Sequence, residues 1–292
     1  MSSGFVVGKN VTITPKFTKG WQETLQAGGD TREVTEFVKG PHSLSYTMNF
    51  LPTDWRWMKY LMTVADGTDD TVKTHTFTLG NTLDSFKLEW AKQHTTDLVY
   101  TIVGNVVKSA TISFRKASGE GSEGFINVSL ECIAKSQSDG SSVTATSAIT
   151  TTPFQYRSTI LTINGSAITE LNNGELTIDN GIDEEDSRYC NATLDQAIGE
   201  PIPKTHRISG RFNVNLSDAT FYTLWEAETA VSGACTLIFS KGADDRMTYT
   251  FTSFTIKEAV APTSLDGITN VDLIWVATAV SPVVRDAIST YE

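Results

Sequence analysis

Apolar and polar residues alternate along many short stretches of this chain. Residues 110–114 read Ala-Thr-Ile-Ser-Phe, and residues 126–133 read Ile-Asn-Val-Ser-Leu-Glu-Cys-Ile. Alternation with a period of two is typical of a strand with one buried face. The connections between such stretches are too short for helical crossovers, so antiparallel sheets are expected. Further strands are predicted at residues 77–79, 86–90, 98–103, 106–114, 159–163, 174–178, 207–216 and 247–251.

Each half of the chain also carries one helical pattern. In the first half, Asp54 follows Pro52 and is placed to cap the start of a helix. In the second half, a helix is predicted to begin at Ser217 and Asp218. The side chains expected to face the sheet are Trp55, Met58 and Met62, with Trp57 and Leu61 on an adjacent stripe, in the first helix, and Phe221, Leu224 and Trp225 in the second, where Glu226 and Glu228 point outward.

Three blocks of sequence recur in the same order in the two halves. The first two recur at offsets of 164 and 149 positions, so one change of length separates them. We interpret the chain as two copies of one domain fused in tandem, an arrangement typical of ring-building or array-building proteins. The matched residues are His42, Ser45, Phe50 and Asp54 with His206, Ser209, Val214 and Asp218, then Tyr100, Thr101 and Lys108 with Tyr249, Thr250 and Lys257, and finally residues 127–134 with residues 270–277.

The predicted division follows from length and composition. A chain of 292 residues has reached the size at which two domains are expected. Residues 136–153 are rich in Ser and Thr and offer almost nothing to bury, so they are predicted to be a linker. We therefore predict a mainly β protein with a first domain at residues 1–135 and a second at 154–292. Each domain is expected to be an antiparallel β-sandwich or half-barrel with one flanking α-helix.

Two long polar segments, residues 20–34 and 180–203, lie between the matched blocks. Loops of this length usually have a function, so both are predicted to be arms that reach a neighbouring subunit. An acidic cluster in the second segment has three open interpretations: a solvated face, a calcium site that lacks the usual ligand spacing, or a functional acidic surface. Such a surface would line a passage or pair with basic residues of another subunit, such as Lys241 and Arg246. The cluster comprises Asp179, Asp183, Glu184, Glu185 and Asp186.

The charge balance limits the possible partners. The 34 acidic and 23 basic residues give a formal charge of -11, which argues against a groove that holds nucleic acid tightly. An acidic wall would still let DNA pass without adhering to it. The sequence shows no secretory signal and no apolar run long enough for a membrane span. We therefore expect assembly in the cytoplasm, no membrane partner, and reduced thiols at the three dispersed cysteines.

No catalytic arrangement is recognisable in the sequence. Residues 119–124, Gly-Glu-Gly-Ser-Glu-Gly, resemble a nucleophile elbow, but they lie between two predicted strands, where a hairpin turn explains them better. His42, His75, His94 and His206 have no second ligand at metal spacing. The equivalence of His42 and His206 favours a shared structural contact. We predict that the protein is not an enzyme and uses no cofactor and no metal.

Some segments also carry a resemblance to a known family. They are residues 75–79, 85–89, 100, 104–113 and 126–135 in the first half and residues 162–165 and 176–180 in the second. Across most of its length the chain resembles the tail tube, or major tail, proteins of long-tailed bacteriophages, in their two-domain type. The resemblance implies a structural virion protein whose sheets join into a continuous inner barrel. Its rings, expected to be trimers with pseudo-sixfold symmetry, would stack into a channel for DNA delivery.

The same resemblance implies the partners and a role for the acidic loop. The protein is expected to bind copies of itself, the tape-measure protein and the tail-terminator protein, with only transient, non-specific passage of DNA. It would be assembled in the host cytoplasm and reside in the virion tail. Asp183, Glu184, Glu185 and Asp186 would lie between rings or at the lumen.

Other functions stay open at this point. A tail-tip or baseplate ring component with the same fold is a close alternative to the repeating tube subunit. A carbohydrate-binding or receptor-binding β-sandwich adhesin would also be acidic and rich in strands. The adhesin predicts a monomer or small oligomer with exposed aromatic residues, whereas the tube subunit predicts rings.

Overall fold

The computed structural model describes residues 5–24, 36–68, 71–92, 98–117, 124–140, 143, 149–183, 203–215, 223, 225–226, 229–260 and 270–291. Within them the protein is mainly β, which confirms the predicted class. The strands are β1 (Lys9–Thr24), β2 (Glu36–Leu51), β3 (Thr63–Asp66), β4 (Lys73–Thr78), β5 (Phe86–Lys92), β6 (Leu98–Arg115), β7 (Asn127–Ile133), β8 (Ser136–Gly140), β9 (Thr159–Ile163), β10 (Ser166–Ile168), β11 (Leu171–Asp179), β12 (Arg207–Asn215), β13 (Cys235–Ser240), β14 (Arg246–Thr252), β15 (Thr255–Val260), β16 (Asn270–Ala277) and β17 (Ala279–Asp286).

The strands form two antiparallel sheets. The large sheet has the order β1-β2-β7-β6-β11-β12-β16-β15, and β5 and β8 pair with the first part of β6. The small sheet has the order β10-β9-β13-β14-β17-β4-β3. Strands of both halves are present in each sheet, because β4 of the first half pairs with β17 of the second. The stretch predicted to be a linker begins with β8, which pairs with β6.

The strand register repeats between the two halves in the same way as the matched sequence blocks. In the first half, β2 pairs with β7 so that Ser45 lies opposite Ile133. In the second half, β12 pairs with β16 so that Ser209 lies opposite Val276. These are equivalent positions in the matched blocks. Each half therefore contributes four strands in the same order to the large sheet, first β1-β2-β7-β6 and then β11-β12-β16-β15.

The change in offset between the matched blocks has a structural counterpart. The β3–β4 hairpin lies between the first helical segment and β5. Within the described part of the second half, no hairpin separates the helical residues near Trp225 from β13. The hairpin is thus an addition to the first half, and it is the part that joins the small sheet beside β17.

The first predicted helix is wrong in type. Residues Arg56–Tyr60 form a short 3-10 helix instead of an amphipathic α-helix. Its apolar residues are buried in the core, whereas Arg56, Lys59 and Tyr60 are only half-buried, so the segment is two-sided although it is too short for an α-helix. Asp54 accepts a hydrogen bond from the backbone N–H of Arg56 at 3.1 Å. The residues in question, Trp55, Trp57, Met58, Leu61 and Met62, are at most 1% exposed.

Trp55 connects the cores of the two halves. Its ring lies 5.1 Å from the ring of Phe154, 5.8 Å from Phe239 and 6.2 Å from Tyr249, measured between centroids. The Tyr249 hydroxyl also lies 3.4 Å from the sulfur of Met58. One hydrophobic cluster therefore extends through both halves.

The second predicted helix is described only in part. Thr223, Trp225 and Glu226 are helical, and a second 3-10 helix spans Tyr156–Ser158. Glu226 is exposed as predicted, but Trp225 is 38% exposed and does not face inward as predicted. Its indole N–H instead donates to the backbone carbonyl of Lys257 at 3.3 Å. The other predicted residues, Ser217, Asp218, Phe221, Leu224 and Glu228, lie outside the described residues.

Two predicted strands, 98–103 and 106–114, are one long strand, β6, that crosses from one set of partners to another. Gly104 has a φ of 66°, a conformation that favours glycine. Beside it, the buried Asn105 donates to the carbonyls of Phe86 and Ile102 and accepts from the Tyr46 hydroxyl. Before this point β6 pairs with β5 and β8, and after it with β7 and β11.

Candidate assembly surface

The large sheet ends in two edge strands, β1 and β15. Within the described residues, β1 pairs only with β2, and β15 pairs only with β16. Edge strands present unpaired backbone groups that can bind another strand. Pro15 lies on β1, where a residue without an N–H is tolerated because the strand is at an edge. The large sheet thus offers two sites for strand addition, one from each half.

The junction between the halves shows how such an edge is covered. The strand order of the large sheet consists of two four-strand units, β1-β2-β7-β6 and β11-β12-β16-β15. Within this order, β6 ends the first unit and pairs with β11, which begins the second. Thr111 and Thr177 lie directly opposite each other there, with hydroxyl oxygens 3.1 Å apart. Beneath them, Ala110 and Ile178 are paired and completely buried. This junction joins the end of one unit to the beginning of the next.

The face of the large sheet that points away from the core is polar and of mixed charge. Ser, Thr and Asn occupy most of its positions, as at Ser129, Thr177 and Asn213. Asn172 donates to the side-chain oxygens of Asn213, Asn215 and Asn270 at 2.7–3.1 Å. The charged side chains of this face include the basic residues Lys16, Arg115, Arg207 and Arg211 and the acidic residues Glu131, Glu175, Asp179, Glu258 and Asp272. The acidic excess of the chain is therefore not concentrated on this face.

The predicted acidic loop is described only at its beginning. Asp183 is exposed and lies 3.6 Å from the ammonium of Lys204. Glu184, Glu185 and Asp186 lie outside the described residues. The backbone before the loop is fixed, because Gly181 donates its N–H to the Asp179 carboxylate and the buried Asn180 donates its side-chain N–H to the carbonyls of Leu61 and Val107. The loop therefore leaves the large sheet at the junction between β6 and β11.

Lys241, which the sequence suggests as a partner for that loop, has contacts within its own chain. Its ammonium donates to the carbonyl of Thr53 at 2.5 Å and lies 4.1 Å from the centre of the Phe154 ring. Burial lowers the pKa of Lys241, and the neighbouring Asp245, 3.6 Å away, opposes that shift. Lys241 thus links Thr53 of the first half to Phe154 of the second. Its ammonium also lies near Asp245 and is partly exposed to solvent.

Two of the four histidines have structural contacts. His75 is fully buried in β4, with Nδ1 2.5 Å from Asp66 and Nε2 3.1 Å from the carbonyl of Ile288. Tyr291 stacks on the His75 ring at 4.0 Å and donates to Asp286. His206 lies 3.2 Å from the side-chain oxygen of Asn180. The side chain of His42 and all of His94 lie outside the described residues.

The described residues contain no group of three or more His, Cys, Asp or Glu side chains placed to hold a metal ion. In the same part of the chain, no helix has the length and apolar character needed to cross a membrane. The Gly-rich segment that resembles a nucleophile elbow, residues 119–124, lies outside the described part of the chain except for Gly124.

The strands β1 and β15 are both missed by sequence analysis. Residues 13–17 of β1 alternate as Ile-Thr-Pro-Lys-Phe, which is a weak strand signal that Pro15 interrupts. A second signal was available for β15. Lys108 and Lys257 are matched in sequence, so β15 could be recognised as the copy of β6.

The described fold is that of a mainly β protein in which each half of the chain supplies four strands to one continuous antiparallel sheet. The sequence matches the family described as phage tail tube protein over residues 10–278, and the chain belongs to this family. No individual curated protein matches it. The predicted resemblance is confirmed. The family is structural and not enzymatic, and it places the protein in the virion tail as a component that self-assembles into a tube.

Proposed function

We propose that this protein is the repeating subunit of the tail tube and that its copies join edge to edge into rings. Three chains would form a ring with pseudo-sixfold symmetry, and the rings would stack into a channel for DNA delivery. One observation carries this proposal. The large sheet contains two copies of a four-strand unit joined by the β6–β11 pair, and its two ends are β15, the copy of β6, and β1, the copy of β11.

The two ends of the sheet are complementary for this reason. Pairing of β15 with β1 of the next chain repeats the junction that already exists inside each chain. A head-to-tail contact of this kind generates a closed ring if the rotation closes and a filament if it does not. A closed ring also removes the exposed edges, which would otherwise be sites of uncontrolled aggregation.

The number of strands supports an open channel. Eight strands of each chain lie on the path of the large sheet, so three chains would supply 24. Barrels of about 16–18 strands already enclose an aqueous channel, and a barrel of this size would enclose a wider one. The core lies on one face of the large sheet, so the polar face would line the lumen.

The composition of the polar face fits the passage of DNA. Adhesion of a protein to DNA depends on clustered Lys and Arg, which displace counterions from the phosphates. On this face Arg115 and Arg211 alternate with carboxylates such as Glu175, among many hydroxyl and amide groups. A lumen with interleaved charges offers DNA no continuous basic track, so low adhesion would follow from balance and not from a strongly acidic wall.

The acidic loop is assigned a role outside the sheet. We propose that Asp183, Glu184, Glu185 and Asp186 contact the adjacent ring or face the lumen at the rim of the barrel. The exposure of Asp183 and the departure of the loop from the end of β11 support this role. The β1–β2 ribbon extends from the equivalent end of the first unit, since β2 pairs with β7 only from Ser45 to Phe50. Both would project toward the same rim.

The remaining parts of the proposal follow from the family. The tube would form around a tape-measure protein and end at a tail-terminator protein, and assembly would take place in the host cytoplasm. Contact with DNA would be transient and independent of sequence. The supporting observation is the family match, together with the balanced charge of the polar face.

The proposal is tested by negative-stain electron microscopy of the purified protein at rising concentration, with light scattering on the same samples. Hollow tubes of stacked rings, each with the mass of three chains, are the expected result. Rings that contain six chains would contradict the trimer. Single rings that never stack would indicate a tail-tip ring component, and a monomer at every concentration would contradict self-assembly of the isolated chain.

A further inference from the structure

We propose that neighbouring chains pair β15 with β1 in one defined register, in which Glu258 lies opposite Thr18 and Ala259 lies opposite Phe17. The occupant of each open edge is thus a second copy of this chain. This inference rests on the proposed ring and adds the residues that form its interface. The register is read from the junction between β6 and β11, which serves as an internal template.

The template has a clear register. Ser109 of β6 lies opposite Asp179 of β11, and Ala110 lies opposite Ile178. The contact between Thr111 and Thr177 follows in the same direction. Finding the corresponding residues of β15 and β1 is therefore enough to predict the contact between chains.

β15 repeats the pairing of β6, including a β-bulge at the equivalent position. In the first half, β6 and β7 shift register between Val107 and Ser109, so that Lys108 is the extra residue of a bulge. In the second half, β15 and β16 shift register between Ile256 and Glu258, which makes Lys257 the extra residue. The bulges fall on the matched lysines. Glu258 is therefore the equivalent of Ser109, and Ala259 that of Ala110.

β1 copies β11 in the same way. Thr18 lies opposite Ser43 of β2, and Asp179 lies opposite Arg207 of β12. Ser43 and Arg207 are separated by the same offset as Ser45 and Ser209. Thr18 is therefore the equivalent of Asp179, and by the same reasoning Phe17 corresponds to Ile178.

The sizes and burial of the paired side chains agree with this register. At the internal junction a small residue, Ala110, lies opposite a large one, Ile178, and both are fully buried. At the proposed junction Ala259 would lie opposite Phe17. Both are only partly buried and pack against the margins of the core. Pairing would continue the core across the junction, since burial of apolar surface favours association.

The charges agree as well. On the polar face, the carboxylate of Glu258 would lie diagonally across from the ammonium of Lys16, two residues from Thr18. Side chains in diagonal positions of an antiparallel pair are still within reach of each other when they are long. Lys16 and Glu258 are both exposed in the single chain.

The register is tested by cysteine cross-linking of assembled protein. A Cys190→Ser background leaves only the buried Cys132 and Cys235 of the native cysteines. In it, Thr18→Cys with Glu258→Cys is expected to form disulfides between chains, visible as dimers and closed trimers on a non-reducing gel. The matched control is Lys16→Cys with Glu258→Cys, which keeps the cysteine on β15 and moves its partner by two residues. Directly opposed Cβ atoms are about 5 Å apart and diagonal ones about 7 Å, and disulfides need roughly 4 Å. The control should therefore form at least about tenfold less dimer.

The outcomes separate the register from the ring. The register is supported if the variant with both Thr18→Cys and Glu258→Cys forms disulfides between chains and the two single-cysteine variants do not. Rings or tubes in the micrographs with preferential linkage of the Lys16→Cys pair would overturn the register and leave the ring in place. Absence of rings and tubes from the reduced protein would overturn the proposed assembly and the register together.

Discussion

In the large sheet, β6 pairs with β7 as β15 pairs with β16, and both pairs have a bulge at equivalent lysines. The outer strands, which cover the other side of the core, differ between the two halves. Among the described residues, the outer layer over the first half consists of β5, β8 and the first part of β6. Their counterparts β13, β14 and β17 are extended by β9 and β10 on one side and by β4 and β3 on the other. The two copies have therefore stayed alike where they form the continuous sheet and have diverged where they do not.

This difference has a physical reason. A strand in the large sheet must present the same register to both neighbours, because a slip of one residue moves every side chain to the other face. The outer strands keep the same constraint within their own sheet, but in the proposed ring they do not have to match a strand of a neighbouring chain. Fusing two copies in one chain thus lets the outer layer become asymmetric, with the hairpin of one half packed against β17 of the other.

The largest expected effect tests whether the halves are one folding unit. Trp55→Ala removes the ring that lies between Phe154, Phe239 and Tyr249, so it should lower the free energy of unfolding by about 3–5 kcal/mol. Chemical denaturation followed by far-UV circular dichroism measures the loss. A single transition is expected, because the cluster extends through both halves. Trp90→Ala is the control, since Trp90 is only half-buried on β5 and should cost less.

A variant that unfolds in two separate steps, one of them unchanged from the parent protein, would show independent halves instead. The two halves would then resemble each other in sequence and topology but would unfold independently. In that case the shared contacts of Trp55 would contribute little to cooperativity.

The next prediction concerns the attachment of the first-half hairpin to the second half. Tyr291→Phe removes the hydroxyl that donates to the Asp286 carboxylate at 2.5 Å but keeps the ring that stacks on His75. Asp286 is buried and would lose one donor, so unfolding should become easier by about 1–3 kcal/mol. Thermal unfolding of this variant is compared with Tyr100→Phe, a half-buried tyrosine on β6. Equal shifts in the two variants would contradict a specific role for the Asp286 contact.

Sequence patterns are sufficient for strands that have one buried and one polar face. The strand β7 alternates buried and exposed positions, and the sequence predicts it nearly to its ends. In β1, by contrast, residues on both faces are exposed over most of the described length, as at Thr14, Pro15 and Lys16. An edge strand with both faces exposed shows no clear period of two. The proposed interface is therefore harder to predict than the core.

The first helix shows a second limit. Trp55, Met58 and Met62 have helical spacing, but their neighbours Trp57 and Leu61 are equally buried. Arg56, Lys59 and Tyr60 are half-buried, so the apolar and polar positions fit an α-helix even though the segment forms a short 3-10 helix. Periodicity alone does not distinguish the two helix types in so short a segment. The edge pairing of the large sheet was also beyond sequence patterns, because it depends on which strand of each unit is outermost.

A smaller effect is expected at the proposed junction. Glu258→Lys would place two cations diagonally across β15 and β1, which should weaken each junction by about 0.2–1 kcal/mol and delay tube formation at low salt. Light scattering measures the delay. Stability of the single chain should change by less than about 0.5 kcal/mol, because Glu258 is exposed. Adding Lys16→Glu should restore assembly if the two side chains are neighbours.

Glu175→Lys provides the comparison, since Glu175 lies on the same polar face but on β11, inside the sheet. It introduces the same change of charge away from both edges. If Glu175→Lys and Glu258→Lys delayed assembly equally, the effect would come from net charge and not from the edge.

The last prediction compares the reactivity of two thiols, one buried and one on the edge of β1, and involves no change of stability. Burial raises the pKa of the Cys132 thiol to about 12, so at pH 8 only about one thiol in ten thousand is ionised. Because the thiolate is the reactive form, Cys132 should resist alkylation in the folded protein.

A Thr18→Cys thiol on the open edge of β1 should react readily in single chains and become protected in tubes. Mass spectrometry after a short treatment with iodoacetamide distinguishes the two sites. Rapid modification of Cys132 in folded protein would mean that β7 opens easily, and protection of Thr18→Cys in single chains would mean that the edge of β1 is already covered.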